Sequence, residues 1–599
     1  MSASDRSAPS PLESGDFAPA FDAAARGASF KTALETLLLA LPDDRADRLM
    51  QMLRESRGAW FPMMHASGGE LLFVGNALSG SITPLASSGF HVTVLDPSAE
   101  RGRFGQLRND AHAPGATQYV QGGLDARLPF DDKSFDVVVQ EDGLPDKGGV
   151  FGHAIGECLR VSRGEVVLTA DNRLAYKRSS GRRNDFHIPS PLEYAQAALS
   201  PQRGERTLFG YRRALAKSGF AKPRAFALYP HARDFTHVVG IDSQRPALTI
   251  GPMEKKNRVK LAARSLGLFR VFTPSFALIA ARREIAHLRP RMDRILLEIA
   301  QKTGEPVPAI EQLVGTRGNT AVIHTSFPGM GETEPRGRWT LHVPLCPKNI
   351  PQLELHYRSL ELVRARFPSV PVPEPLYHGR VDGVWLSCER RLPGWTAPQI
   401  SGDPVKVARM LGDASRHFAT LIVRAPAVFT EADYEEQLGA RFDLVLEHAA
   451  VPSTIASLKR MRGEYRARFV GKRIARVLYH ADLRAKHVQI AADGSVVGYL
   501  DWGTTEMAGL PYFDLLHLAV HERKQEHGCS AGEAWRIVRD RTELRDYELA
   551  ALESYRRTVG LDDDTARAIE ELYPVLVAAM AEKNWDYSRP RWLHKQFGI

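Results

Sequence analysis

From residue 70 the chain falls into short Val-rich runs separated by longer amphipathic stretches. The runs are "ELLFVGN", "HVTVLD", "SFDVVVQ" and "GEVVLTA", and "VFGHAIGECLRVS" is one of the helical patterns between them. This alternation constrains the fold more tightly than any other feature. Val-rich runs favour strands. Two strands joined by a helix-length crossover run parallel in one sheet. The expected fold is α/β, a doubly wound Rossmann-like domain over residues 60–282 that closes near "SFALIAARR".

Ahead of this domain, residues 1–28 are rich in acids, Pro and Ser and lack the apolar core of a secretory signal, so they read as a disordered lead-in. Residues 29–59 read as a helical segment broken at Leu41-Pro42. Beyond the domain, residues 283–312 read as a helical linker ending in "GEPVP", a semi-rigid spacer. Residues 313–599 read as an α+β, two-lobed domain. It begins with an antiparallel pair, "AVIHTSF" and "WTLHVPL", followed by the helix "IPQLELHYRSLELVRARF". A hairpin within "PVPEPLYHGRVDGVWLSCERRLPGW" comes next, and the remainder is mainly helical.

The composition narrows the function. Cys158, Cys346, Cys388 and Cys529 are far apart with no C-x-x-C, which points away from zinc and disulfides and towards a reducing cytoplasm. No apolar stretch approaches the roughly 18 residues of a membrane helix. A formal charge of +9 favours anionic ligands and leaves peripheral membrane contact open. The basic residues lie among acids without an aromatic-interleaved stripe, which argues against nucleic acid.

The stretch "LLFVGNALSGSITPLASSGFHVTVLD" places Asp96 at the end of its second strand, 21 residues after Gly75. A turn of small residues lets backbone N–H groups approach a ligand, and an acid in that place can accept ribose hydroxyls. With "ARLPFDDKSFDVVVQEDGLPD" and "ECLRVSRGEVVLTADN" following in order, residues 60–282 resemble the class I S-adenosylmethionine-dependent methyltransferases. The resemblance implies a cofactor turn of Gly75, Asn76, Ala77 and Ser79, with Asp96 at the ribose and Leu124 and Asp125 flanking the adenine. Two of the family's glycines read Ala77 and Ser79, and its acid before the turn reads Phe73. Neither His153 nor His187 carries a pattern that marks a base for methyl transfer.

The most specific signal is "VLYHADLRAKHVQIAADGSVVGYLDWG", where Asp482 and Asp501 stand 19 positions apart around a turn. Phosphoryl transfer needs one acid to orient the attacking hydroxyl and another to hold a divalent ion on the nucleotide, and a hairpin between them brings both to one place. This stretch resembles the aminoglycoside/choline phosphotransferases, a branch of the protein-kinase-like fold, and the likeness extends over residues 305–590. The resemblance implies ATP and Mg²⁺ as cofactors, Asp482 as the catalytic acid, and Asp501 with His487 as metal ligands. It puts Gly315 and Gly318 in a phosphate-covering loop, His342 in place of the strand lysine, and Glu354 on the helix that would pair with it. Glu389 and Arg390 fall at the adenine hinge, and Asp514 at the family's buried acid. Lys486 or Lys348 could supply the charge that His342 lacks.

The reading is a bifunctional transferase: methyl transfer from S-adenosylmethionine, plus ATP-dependent phosphorylation of a hydroxylated small molecule or glycan precursor. The competing reading is a non-catalytic ligand-binding scaffold made of two altered enzyme folds.

Overall fold

The computed structural model describes residues 15–599 apart from 125, 142–149, 176–177, 180–185, 188–189, 191, 193–205, 234, 243–266, 316–318, 327–338, 400–402 and 586–590. Asp125 and Gly318 therefore lie outside the described residues. The chain forms two compact units. The first comprises Met1–Met330, Gly337–Ile350 and Tyr377–Cys388, and the second comprises Gly331–Arg336, Pro351–Leu376 and Glu389–Ile599.

Among the described residues, the first unit is built on a 13-stranded sheet with a separate two-stranded pair. Its strands are β1 (Gly69–Val74), β2 (Phe90–Asp96), β3 (Thr117–Gln121), β4 (Phe135–Gln140) and β5 (Ser162–Asp171). A two-residue pair follows, β6 (Arg178–Ser179) and β7 (Phe186–His187), and then β8 (Arg224–Tyr229), β9 (His237–Gly240) and β10 (Ser275–Ala281). The sheet continues with β11 (Ala309–Gly315), β12 (Thr320–Ser326), β13 (Trp339–Pro344), β14 (Pro375–Val381) and β15 (Val384–Arg390). Its order is β14-β15-β13-β12-β11-β9-β8-β10-β5-β4-β1-β2-β3. β1 to β5 pair in parallel, and β10 runs antiparallel between β5 and β8. This is the doubly wound α/β sheet expected for residues 60–282, with helices such as Ala99–His112 and Val150–Val161 as crossovers. Strands covered on both faces read as continuous apolar runs; accordingly every residue of β10 is buried.

Two expectations change here. The lead-in takes defined structure from Gly15 onward: Ala18–Ala25 is a helix, Phe17 is buried, and its ring lies 5.2 Å from that of Phe104. Apolar residues spaced through a polar stretch were enough to dock it. Residues 283–312 are not a free spacer between the units. They hold the helix Arg291–Thr303, whose Arg291 is fully buried and donates to Ser88 O at 3.2 Å and Asp382 O at 2.8 Å. β11 then pairs with β9 through Leu313↔Val238 and Val314↔His237. The strands expected to open the second domain thus extend the first unit's sheet.

The second unit is mainly helical. Its two small sheets are β16 (Trp395–Thr396), β19 (Val488–Ile490) and β20 (Val496–Tyr499), and β17 (Ile422–Val428), β18 (Arg473–Tyr479) and β21 (Glu506–Gly509). One core joins helices Pro404–Ala419, Phe513–His527 and Asp563–Trp585 to these strands around buried Tyr434, Tyr499, Trp502 and Tyr573. The hairpin read from the sequence is β19–β20, with Val488 opposite Tyr499 and Gly494 at φ +87° in its turn.

Candidate active site

In the second unit, β18 delivers the chain into a loop whose backbone is gripped from beneath. Asp514, buried in the first turn of helix Phe513–His527, accepts from His480 N and Ala481 N, both at 2.8 Å. Ala481 stands at φ +69°, a left-handed conformation that costs a side-chain-bearing residue about 1–2 kcal/mol. Burial pushes Asp514 up to about 7 even against these two donors.

The loop presents Asp482 with its side chain 3% exposed. Arg484 pairs with its Oδ2, and His517 Nε2 reaches its Oδ1 at 3.3 Å. Burial alone would raise Asp482; the Arg484 cation and the hydrogen bond from His517 outweigh it and hold the carboxyl far below the usual range. The acid is ionised and weakly basic, suited to orienting a hydroxyl.

The histidines around it are neutral because burial lowers each one. Their proton positions follow from their partners. His480 Nε2 faces Leu500 O at 2.9 Å and must donate, while its Nδ1 accepts from Asp482 N at 3.4 Å. His517 donates to Asp482, leaving Nδ1 to accept from Tyr573 OH at 3.0 Å. His487 Nδ1 lies 2.8 Å from the carbonyl oxygen of Asp482, which can only accept, so Nδ1 carries the proton. Its Nε2 lies 3.3 Å from Asp501 Oδ2.

Asp501 follows β20 at φ +63°, and its side chain is 55% exposed. Asp482, His487 and Asp501 bring one ligand atom each within 4.8 Å of one another. The three residues named from the sequence for this chemistry therefore converge.

His356 was not anticipated. It is buried in helix Ile350–Arg366, donates to Glu389 Oε2 at 2.8 Å, and accepts from the Trp502 backbone N–H at 3.0 Å. This ring, and not Glu354 two positions earlier, ties that helix to the Asp501-Trp502-Gly503 turn. Gly503 admits the helix closely, since a Cβ there would stand 3.1 Å from Gln352 O. The sequence signal was available: a histidine on the inward face of the helix opposite "DWG". Glu389 is engaged by His356, and Arg390 pairs with Glu374 at 2.7 Å. His342 sits on β13 opposite Val322 in the first unit. Gly315 ends β11, where a Cβ would make ordinary contact with Ser56 and Ala59 at 3.4 Å.

The turn after β1 is compact. Asn76 Oδ1 accepts from Leu78 N at 2.9 Å, and Ala77 and Ser79 are buried. Asp96 is fully buried and accepts from Ala77 N at 2.7 Å, Ser98 N at 2.7 Å, and Arg101 Nε at 3.0 Å and Nη2 at 2.5 Å. Those four donors use a carboxylate's whole capacity. The expected ribose acceptor is an internal ion pair, and S-adenosylmethionine does not fit the residues present. Gly75 is half-buried, and a Cβ there would meet the Phe73 ring at 3.2 Å and Glu141 O at 3.3 Å.

No family model matches the chain, and no curated protein matches it. Among solved structures it is similar to an aminoglycoside phosphotransferase from Streptomyces rimosus in complex with ADP and streptomycin. That likeness is 16% identical over 43% of this chain and 90% of that one, with a TM-score of 0.29. A second aminoglycoside phosphotransferase, in complex with GDP and kanamycin, is 15% identical over 50% and 94%, with a TM-score of 0.35. A geranyl diphosphate methyltransferase in complex with SAM is 18% identical over 42% and 90%, with a TM-score of 0.24. No described helix is long and apolar enough to cross a membrane.

Proposed function

We propose that the second unit is a phosphotransferase that moves the terminal phosphoryl group of a nucleoside triphosphate, ATP by the sequence resemblance, to a hydroxyl of a small molecule or glycan precursor. The observation that carries this reading is the convergence of Asp482, His487 and Asp501, which bring one ligand atom each within 4.8 Å of one another. A divalent cation could take a donor from each of the three, and exposed Asp501 leaves a way in.

His487 and Asp501, with Asp482 alongside, would hold a divalent ion. When bound, such an ion neutralises charge on the phosphates. A nitrogen among the donors suits Mn²⁺ better than the Mg²⁺ expected from the resemblance, because Mg²⁺ prefers oxygen. Asp482, ionised and held by His517 and Arg484, orients the acceptor hydroxyl. A loose, metaphosphate-like transition state needs positioning more than a strong base. Arg484 places a permanent cation at the same carboxylate, which the neutral histidines cannot do. The test is isothermal calorimetry with Mn²⁺ and a non-hydrolysable ATP analogue on the full chain. Metal-dependent binding that Asp501→Ala removes supports the reading, and binding unaffected by that change overturns it.

A further inference from the structure

The doubly wound sheet reverses its winding between β1 and β4, and the crevice at the carboxyl ends of those strands is where such folds take ligands. Here the crevice ends in Glu141, which is buried and bonded to Val74 O through its own N–H at 3.0 Å. Its Oε1 accepts from Ser81 Oγ at 2.8 Å and lies 3.4 Å from Arg57 Nη2, and its Oε2 accepts from Ser79 Oγ. Arg57 is itself buried.

The segment that carries Arg57 closes the turn from above. Gly80 N donates to Met52 O at 2.8 Å, and a Cβ on Gly80 would collide with Arg54 O at 1.9 Å. Arg108, also buried, bonds Glu55 Oε1 at 2.8 Å and Ser79 O at 3.4 Å. From the other side, a Cβ on Gly105 would stand 2.5 Å from Ala77 O. Two departures from the methyltransferase pattern have a place in this closure: Ser79 supplies a hydroxyl to Glu141, and Phe73 sets an apolar ring beside Gly75.

The far edge of the same sheet is equally committed. β9 would be a bare edge strand, open to pairing with other chains. β11 covers it, and Gly315 N adds a bond to Thr236 O at 2.9 Å. Arg294 pairs with Asp382 at 2.6 Å and donates to His65 O at 3.1 Å, tying the β14–β15 turn to residues ahead of β1. Trp339 Nε1 donates to Glu305 at 2.8 Å, fastening β13 to the end of helix Arg291–Thr303.

We propose that the first unit is a structural platform: its cofactor crevice is filled by the chain's own Glu141, Asp96, Arg57 and Arg101, and its β9 edge is the template on which β11–β13 fold. The proposal does not depend on the phosphotransfer reading. Calorimetry and thermal shift on the full chain with S-adenosylmethionine and S-adenosylhomocysteine, each to millimolar concentration, should give no saturable heat and no rise in Tm. Saturable binding of either would overturn the filled crevice. Arg101→Ala acquiring such binding where the unaltered chain has none would support it, with the arginine as the filling group. Hydrogen exchange on the unaltered chain tests the template. Amides of β8–β9 and of β11–β12 should open together, with protection within about tenfold of one another. Val314→Gly should lower protection on both sides at once. Protection of β11–β12 that differs widely from that of β8–β9, or that falls alone in Val314→Gly, would overturn it.

Discussion

Asp96 and Asp501 invite comparison. Each acid stands at the end of a strand where the sequence suggests a ligand. Asp96 is wholly buried and receives four protein donors. The Asp501 side chain is 55% exposed and faces His487 Nε2 at 3.3 Å. What distinguishes a ligand-holding acid from a structural one is unspent bonding capacity. Burial of a carboxylate without partners is expensive, so the fold supplied Asp96 with partners and thereby removed it from ligand chemistry.

Four experiments break or sharpen that contrast. The largest effect should come from Asp482→Asn, which removes the charge proposed to orient the acceptor. Turnover should fall by about 10²–10⁴-fold with nucleotide affinity held within a few-fold, read from steady-state kinetics and calorimetry side by side. Turnover within a few-fold of the unaltered protein would put the orienting role elsewhere. Next in size is Arg101→Ala. Removing one partner of a buried ion pair costs about 3–5 kcal/mol, so denaturant unfolding should show that loss, while phosphotransfer assayed below the transition keeps its rate. If stability barely moves, Asp96 was never committed to Arg101.

His487 offers a finer test. His487→Ala should weaken metal-dependent nucleotide affinity by about 10–100-fold. His487→Asn should restore binding with a shift towards Mg²⁺, since the amide offers oxygen. A metal preference that does not change between histidine and asparagine would separate His487 from the ion.

The smallest effect is in pH dependence. Burial depresses His480, His487, His517 and His521, so each is neutral in the fold and free to protonate once unfolded. These groups contribute stability above their unfolded value of about 6.5 that is lost as pH falls below it. Asp514 and Glu522, both raised to about 7, act in the opposite sense: their burial disfavours the fold as pH rises from about 4 to 7. Burial also lowers His237 and His417 and raises Glu548, so with six histidines against three carboxyls unfolding near pH 5.5 should take up protons on balance. The check is the pH dependence of the denaturation midpoint, which should fall as pH drops from 6.5 to 5.

The sequence by itself determined the local features. Val-rich runs set the strands β1, β2, β4 and β5, because a strand covered on both faces needs only its own apolar residues to declare itself. The β19–β20 hairpin, with Asp482 before it and Asp501 after it, was legible because its turn and both acids lie within 20 residues of chain. The closeness of His487 to both acids was legible for the same reason. Tertiary structure decided what could not be local. Whether Asp96 met a ribose or a guanidinium depended on which rotamer Arg101 took and on how tightly Arg54 to Arg57 packed over Gly80. The pairing of β11 with β9 joins residues more than 70 positions apart, and no pattern in either strand names its neighbour. His356 reached Trp502 across 146 residues. Chain entropy makes such contacts costly to form, so they appear only when the whole core forms with them, and no window of sequence contains the reason.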